Sequence, residues 1–405
     1  MTELRRIISF PVLVLYGLGT MVGGGFYALT GKVAGEAGMQ TPLAFLVAGI
    51  LASLCALAFA ECSARFPNAA GPARYVEAAF GSPVLAATVG WLVIATGVIS
   101  AATLAVATTG FVRDLLPVPE MLGTFLLVIT MGAISARGIS LATTVVVGIT
   151  IIEVGTLVYL LVTGGDAFAT LPDRITEIGD VTNLAACTGI IAGAFLAFYA
   201  FIGFEDMVTL AEEVKDVRQT LPRALILSLV LTLFLYVSVA LLAILAVSAE
   251  QLAGSNTPLA ELVADQGRYA IIAIGVVSIL TGINGALVQI VMAARIAYGM
   301  AGRGQAPAWM GIVSRLTRTP LLATAAATSL ILVLAMTLDL TTLARLTSGI
   351  IILIFGLVNA SLWVIKGQED LPPPGIVYFP RFLALLGALA CAAILAAQLF
   401  TLSLP

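Results

Sequence analysis

The 405-residue chain contains no histidine. That removes the commonest metal ligand, histidine ligation of haem and any imidazole proton relay, which argues against a respiratory or metal-dependent membrane enzyme. Charge is almost as scarce: Asp, Glu, Lys and Arg make up 10% of the residues, against about 25% in soluble domains. The 19 basic and 22 acidic side chains leave a net charge of -3, so no polybasic surface points to nucleic acid. The four cysteines, Cys55, Cys62, Cys187 and Cys391, lie scattered without metal-site spacing and read as buried packing residues. Nothing in the sequence calls for a metal or another cofactor, and no nucleophile, base and metal constellation suggests catalysis.

Apolar sequence is what the chain has in abundance. It is 60% hydrophobic, with a mean hydropathy of +1.11, the composition of a polytopic membrane protein. Runs of about 20 apolar residues predict eleven spans, numbered here in order: 10–34, 41–65, 83–112, 119–136, 139–163, 184–210, 221–248, 268–300, 318–337, 342–364 and 380–402. The linkers are short, and the longest, 164–183 and 249–267, are acidic. Arg5 and Arg6 before the first run superficially resemble a signal peptide. The run lacks a small-residue cleavage pattern and exceeds the usual apolar core of about 7–15 residues, so it is expected to be a mature span.

Cytoplasmic loops are enriched in Lys and Arg. With the N-terminus inside, Arg5, Arg6, Arg65, Arg74, Arg137, Lys215, Arg218, Arg223, Arg295, Arg303, Arg315, Arg318, Lys366 and Arg381 fall on the cytoplasmic side. Lys32, Arg113, Arg174, Arg268 and Arg345 fall outside. The bias supports the alternation of all eleven spans and places the C-terminus at Pro405 outside.

Two spans are interrupted. Between Gly17 and Ala28 the first carries glycine at 17, 19, 23, 24 and 25, each costing a helix interior roughly 1 kcal/mol relative to alanine. Lipid cannot satisfy the backbone groups that such a break frees, so they must face protein, water or a ligand. The sixth span carries Gly203 followed by Glu205 and Asp206 inside an apolar run; a carboxylate at that depth needs a partner or a water-lined cavity. Interrupted helices at corresponding places, five spans apart, predict a transporter built from inverted repeats. The repeats are expected at 10–163 and 184–364, with 380–402 as an additional helix, all within a single transmembrane domain.

Three blocks and an exit segment carry a resemblance to the amino acid-polyamine-organocation (APC) superfamily. Gly19-Thr20-Met21-Val22-Gly23-Gly24-Gly25-Phe26-Tyr27 resembles its helix 1 motif, with Gly24 in place of the usual serine. Ala60 to Pro67 with Gly71 to Tyr75 is similar to its helix 2 to 3 connection, and Phe201 to Glu205 with Ala211 to Lys215 and Pro222 to its helix 6 to 7 block. Asn284 to Pro307 resembles its helix 8 and exit. The resemblance implies an all-α, five-plus-five inverted-repeat fold and secondary active transport of amino acids or related amines. Most members have twelve spans, whereas this sequence shows eleven.

Broken helices supply what a zwitterionic amino acid requires. The half-helix after a break presents free N–H groups and positive potential, and the half before it presents carbonyls and negative potential. The substrate carboxylate is therefore assigned to the N–H groups of Gly23, Gly24 and Gly25. The ammonium is assigned to carbonyls near Thr20 and Met21 in the first span, and near Phe198, Ala200 and Phe201 beside Gly203 in the sixth. The bland alternative is a Gly19-xxx-Gly23 helix-packing face. By the resemblance, Tyr199 stands where relatives carry an aromatic that closes over substrate. Glu205 reads as a structural acid bonding unwound backbone, with Asp206 as its solvated neighbour.

Glu153 is the lone acid in the middle of the fifth span. Some proton-coupled relatives carry a lysine at about this place, and a carboxylate there reverses the charge of the protonation cycle. Glu153 is assigned as the proton-coupling acid, its alternative being a permanently protonated core acid. Sodium is the rival coupling ion, with Ser278 and Thr281 of the eighth span as hydroxyl ligands, although such hydroxyls more commonly bond their own helix. Walls rich in Ala, Gly and Phe favour small neutral or apolar amino acids. The sequence thus reads as a proton-coupled amino acid permease of the cytoplasmic membrane, in contact with lipid. Sodium coupling, obligate exchange and a transporter-like sensor are the alternatives, and a channel fits poorly, because two unlike broken helices do not make a ring.

Overall fold

The computed structural model describes residues 6, 8–66, 71–137, 143–369 and 375–403. Arg5, Pro67, the first residues of the predicted fifth span (139–142) and Pro405 lie outside the described residues. Among the described residues, sixteen α-helices follow one another. Helices α1 (Phe10–Met21) and α2 (Gly24–Ala37) are the two halves of the first span, and α3 (Thr41–Arg65) is the second. After the short α4 (Gly71–Phe80) come α5 (Pro83–Leu115), α6 (Glu120–Ala136) and α7 (Thr143–Thr163). The sixth span begins as α9 (Leu184–Phe198), and α10 (Val217–Ala246), α13 (Arg268–Gly302), α14 (Leu321–Thr337), α15 (Leu340–Gly367) and α16 (Arg381–Ser403) complete the set.

Each of the eleven predicted spans thus has its helix or helix pair. Among the described residues, eight helical stretches are long and apolar enough to cross a membrane, and Phe10–Met21, Glu120–Ala136 and Leu321–Thr337 are shorter apolar helices. Helix α5 has 33 residues and α13 has 35, about 50 Å at 1.5 Å per residue, so both exceed a hydrocarbon core of about 30 Å. The two acidic linkers are not plain loops. The first folds into a 3₁₀ turn and α8 (Leu171–Ile178), the second into α11 (Ala249–Gly254), α12 (Pro258–Glu261) and a 3₁₀ turn. Ser248 starts α11 by accepting the Gln251 N–H through its hydroxyl, and Pro172 and Pro258 sit in the first turns of α8 and α12, where a missing N–H costs nothing.

Helix α3 packs along α10 and α5 along α13. An aromatic centre fills the space between them. Phe26 stacks on Tyr236 with ring centroids 4.0 Å apart, and Phe45 and Phe201 meet the same tyrosine edge-on. Phe59, Phe204 and Phe355 form a second group. The outer faces are apolar as well, with Val84, Val162, Leu184 and Phe234 exposed, the inside-out surface expected of helices that meet lipid. Cys55, Cys62 and Cys391 are buried as expected, whereas Cys187, near the start of α9, is only half-buried.

Contacts between distant segments define two ends of the bundle. At one, here the near end, the segment before α1 pairs with the exit of the sixth span: Ile8 N–H donates to the Glu213 carbonyl and Lys215 N–H to the Ile8 carbonyl, both at 3.0 Å. A buried ionic cluster sits at the same end. Glu61 of α3 accepts Lys366 of α15 at 2.7 Å and Arg65 at 2.7 Å, and also takes the Phe379 N–H at 3.0 Å. Arg65 reaches Glu369 at 2.5 Å, and Lys366 lies over the Tyr378 ring, 3.5 Å from its centroid. At the far end, Lys32 donates to the Ala253 carbonyl at 2.8 Å, Arg345 pairs with Glu36 at 2.5 Å, and Asp114 accepts Asn256 and Thr257.

Candidate functional site

Both interrupted spans open at the same depth. In the first, Val22 (φ -74°, ψ 53°) and Gly23 (φ -102°, ψ -169°) leave the helix, and α2 resumes at Gly24. The Gly23 N–H turns back onto the Met21 carbonyl at 2.7 Å. The N–H groups of Gly24 and Gly25, in the first turn of α2, have no partner within the helix, as at every helix N-terminus. Of the three donors expected for a carboxylate, that of Gly23 is therefore committed, while those of Gly24 and Gly25 have no partner within the helix.

In the sixth span α9 ends at Phe198, one 3₁₀ turn covers Tyr199–Phe201, and Ile202 is extended. Gly203 then takes φ +127°, a left-handed backbone for which glycine is suited. A Cβ on Gly203 would collide with the carbonyl oxygen of Thr20, so the two breaks touch. The segment beyond, Phe204–Glu213, is 3₁₀ over ten residues, well past the usual three or four and a mark of a hinge.

Tyr236 of α10 ties the breaks together. Its hydroxyl lies 2.6 Å from the Met21 carbonyl and 3.1 Å from that of Ala200. Two of the carbonyls assigned to the substrate ammonium are thus already held by the protein. Sequence reasoning missed this residue, because a lone tyrosine in an apolar run carries no motif.

A cavity of about 50 Å³ lies at the junction. Thr20, Met21, Gly23, Gly24, Gly25, Tyr199 and Ala200 line it, as do Ser100, Asp206, Asn284 and Gln289 from neighbouring helices. Phe198, Phe201 and Gly203 do not line it; the two phenylalanines pack into the aromatic groups and Gly203 against Thr20. Tyr199 is buried, with its ring against Gly25 and its hydroxyl 2.9 Å from Ser100 Oγ of α5. Gly24 meets the backbone of Gly282 in α13: a Cβ there would come within 2.9 Å of the Gly282 Cα. This close crossing gives a local reason for glycine where the resemblance leads one to expect serine. At Gly23, by contrast, a Cβ would meet nothing nearer than 3.9 Å.

A second cavity of about 390 Å³ adjoins the first on the near side, and Ile202, Asp206 and Gln289 line both. Glu205, Glu213, Arg295 and Arg303 line the larger one, and among the described residues no salt bridge joins them. Glu205 accepts the Gly203 N–H at 2.8 Å and is partly exposed. Asp206 is not the solvated neighbour that its position beside Glu205 suggested. It is 2% exposed, and its Oδ1 has no hydrogen-bond partner. Its presence also breaks the expectation of cavity walls made of Ala, Gly and Phe.

Glu153 is buried in α7, and neither carboxylate oxygen has a hydrogen-bond partner. Its backbone carbonyl accepts the Tyr27 hydroxyl at 2.9 Å, which brings the second half of span 1 against it. Thr281 of α13 is the polar side chain facing the carboxyl. Thr281, from the sodium scheme, thus stands beside Glu153, from the proton scheme. Ser278 and Thr281 both donate to carbonyls four residues back, Ile274 at 2.8 Å and Val277 at 2.6 Å.

Two broken helices meeting at a small cavity, inside a bundle that is helical among the described residues, define the five-plus-five inverted-repeat transporter fold. The crystal structure of MhsT in complex with L-phenylalanine has the same architecture, with a TM-score of 0.67 over 99% of this chain and 100% of that one, at 15% identity. The profile of the amino acid permease family matches residues 8–404, and the chain belongs to that family. It is 28% identical to the Arabidopsis thaliana cationic amino acid transporter 3, mitochondrial, over 92% of this chain and 64% of the relative. An uncharacterized transporter of Mycobacterium tuberculosis is 27% identical over 96% of this chain and 85% of its own length. The chain thus spans less than two thirds of the Arabidopsis relative's length.

Proposed function

We propose that the chain is a secondary active transporter that moves amino acids across the cell membrane by alternating access, with a proton as the coupling ion. The observation that carries this reading is the junction itself. Gly24 and Gly25, at the start of α2, line a small cavity, Tyr199 stands over Gly25, and a wider cavity adjoins on the near side. The relatives' names and the L-phenylalanine of the MhsT complex support amino acids as the substrate class. The near end faces the cytoplasm in this reading, since it carries most of the basic residues, and the far-end contacts of Lys32, Glu36 and Asp114 hold the opposite side shut. The repeats run over 10–163 and 184–364, with 380–402 outside them.

In the transport step the substrate carboxylate sits on the α2 N-terminus, where N–H groups and helix potential favour an anion. The ammonium meets what remains of the carbonyl set once Tyr236 has taken Met21 and Ala200. Glu153 carries the coupling proton. Its position behind Tyr27 lets its charge state bear on the half-helix that holds the carboxylate. Sodium remains the second reading because Thr281 faces the same carboxyl.

Counterflow of labelled amino acids in proteoliposomes tests the activity: accumulation against preloaded unlabelled amino acid is expected, and failure with every amino acid and amine defeats the reading. An imposed pH gradient and an imposed sodium gradient, applied separately, then decide between the coupling ions.

A further inference from the structure

The segment between α13 and α14 leaves large apolar side chains uncovered at the near end. It opens with a 3₁₀ turn at Ala308–Gly311 that lies back along α13, where a Cβ on Gly311 would come within 3.3 Å of the Ala301 Cβ. A tight turn follows: Arg318 N–H donates to the Ser314 carbonyl and Ser314 N–H to the Thr319 carbonyl, both at 2.9 Å, with Arg318 at φ +55°. Trp309, Ile312 and Val313 are exposed, and Leu316, within the turn, is 96% exposed. So much uncovered apolar surface in so short a segment marks a contact with a membrane or another molecule.

Arginine frames this surface, and acid is missing from it. Arg315 and Arg318 are exposed, and the Thr319 hydroxyl donates to the Ala136 carbonyl at 2.9 Å, which brings the exposed Arg137 at the end of α6 beside the same turn. No Asp or Glu occurs between Asp265 and Asp339 or between Glu120 and Glu153. Among the described residues none of these three arginines makes a salt bridge. The end of α6, the end of α13 and the start of α14 all meet this segment. It therefore stands where apolar spans give way to headgroups, the level at which tryptophan is enriched. Basic clusters next to membrane helices attract anionic lipid there.

We propose that residues 308–319, together with Arg137, form a binding surface for anionic phospholipid in the near leaflet. Trp309, Ile312 and Leu316 supply apolar contact at the acyl boundary, and Arg137, Arg315 and Arg318 supply the charge that holds a negative headgroup. A zwitterionic lipid offers the same phosphate but cancels it with its own cation, so the surface favours a lipid of net negative charge such as phosphatidylglycerol. Lipid held there fastens the near ends of α6, α13 and α14 to one leaflet. The surface depends on neither the identity of the substrate nor that of the coupling ion.

The test reads tryptophan fluorescence of the full chain in phosphatidylcholine vesicles that hold a minor fraction of lipid brominated on its acyl chains, either phosphatidylglycerol or phosphatidylcholine. The part of the quenching that disappears in Trp309→Phe belongs to this segment. Brominated phosphatidylglycerol is expected to quench it more strongly than phosphatidylcholine at the same fraction. Salt raised to about 0.5 M should narrow the difference, because exposed charges are screened. Arg315→Gln combined with Arg318→Asn, asparagine being tolerant of the left-handed backbone, should lower the preference about fivefold or more, and Arg137→Gln should lower it further. Leu316→Ser should weaken quenching by both lipids and leave their ratio unchanged. All four substituted positions are exposed, and melting temperatures check that each variant is folded. Equal quenching by the two lipids in the natural protein, or a preference unmoved by the arginine substitutions, overturns the lipid surface and leaves the patch to another partner, such as an acidic protein. Loss of the preference on adding inorganic phosphate at constant ionic strength also overturns it, in favour of a soluble anion.

Discussion

The hydroxyl of Tyr236 lies 2.6 Å from the carbonyl oxygen of Met21, at the last residue before the first helix breaks, and 3.1 Å from that of Ala200 in the second break. One side chain on an unbroken helix thus holds both interruptions at a fixed separation. Tyr236→Phe keeps the ring stacked on Phe26 and deletes only the donor. The Met21 carbonyl keeps the Gly23 N–H, so the Ala200 carbonyl is the one left short, at about 1–3 kcal/mol for a buried unsatisfied group. A lower melting temperature and slower counterflow are expected together; a variant that melts and exchanges like the natural protein would show that the tie is dispensable.

Substitutions along the glycine run should be graded by position. Gly25→Val drives its Cβ to 2.8 Å from the Tyr199 ring and covers the N–H groups, so binding is lost while the protein still inserts. Gly24→Ser, the residue the resemblance leads one to expect, presses on the Gly282 backbone and should destabilise the protein. Gly23→Ala has open space and an ordinary φ, and is expected to be the mildest of the three. Ligand-induced thermal stabilisation orders them, and a Gly23→Ala variant as impaired as Gly25→Val would contradict this account.

Glu153 has no hydrogen-bond partner for either carboxylate oxygen. Glu153→Gln keeps the shape and abolishes the exchangeable proton. Accumulation driven by a pH gradient should disappear, whereas counterflow, which needs no net proton movement, should persist. Proton-driven accumulation that survives the substitution removes Glu153 from the coupling step.

At the near end Glu61 and Lys366 are almost wholly buried, with side-chain exposures of 0% and 1%. Glu61 keeps Arg65 and the Phe379 N–H when Lys366 is replaced, whereas replacing Glu61 leaves Lys366 buried without its carboxylate, a loss of roughly 3–5 kcal/mol. Glu61→Gln alone should therefore destabilise the protein more than the double variant Glu61→Gln, Lys366→Met. A double-mutant cycle on melting or denaturant unfolding measures the coupling, and strict additivity would argue that the cluster is not a unit.

The spans were legible because lipid imposes length and apolarity on every helix that crosses it, and the breaks because five glycines cannot hide in such a helix. Glu153 stood out as a lone acid in an apolar run. The rest of the site was illegible for physical reasons. Tyr236 meets Met21 across 215 residues, and nothing local to an aliphatic helix announces such a contact. Asp206 and Glu205 are adjacent, and which of them turns inward depends on the 3₁₀ winding after Gly203, which composition does not encode. The commitment of the Gly23 N–H to Met21 is likewise a backbone event with no residue-type signature. The short helices in the acidic linkers escaped notice because they are too brief to show a period.

The pairing of Ile8 with Glu213 and Lys215 is made by main chain alone. Any residue but proline could supply those same amides and carbonyls, so ordinary side-chain replacement there would leave the clasp intact. The start of the first broken span and the exit of the second are consequently joined at this end. Because the clasp is written in backbone atoms, sequence drift passes over it without a trace, and comparison of related sequences would overlook the joint between the two broken spans.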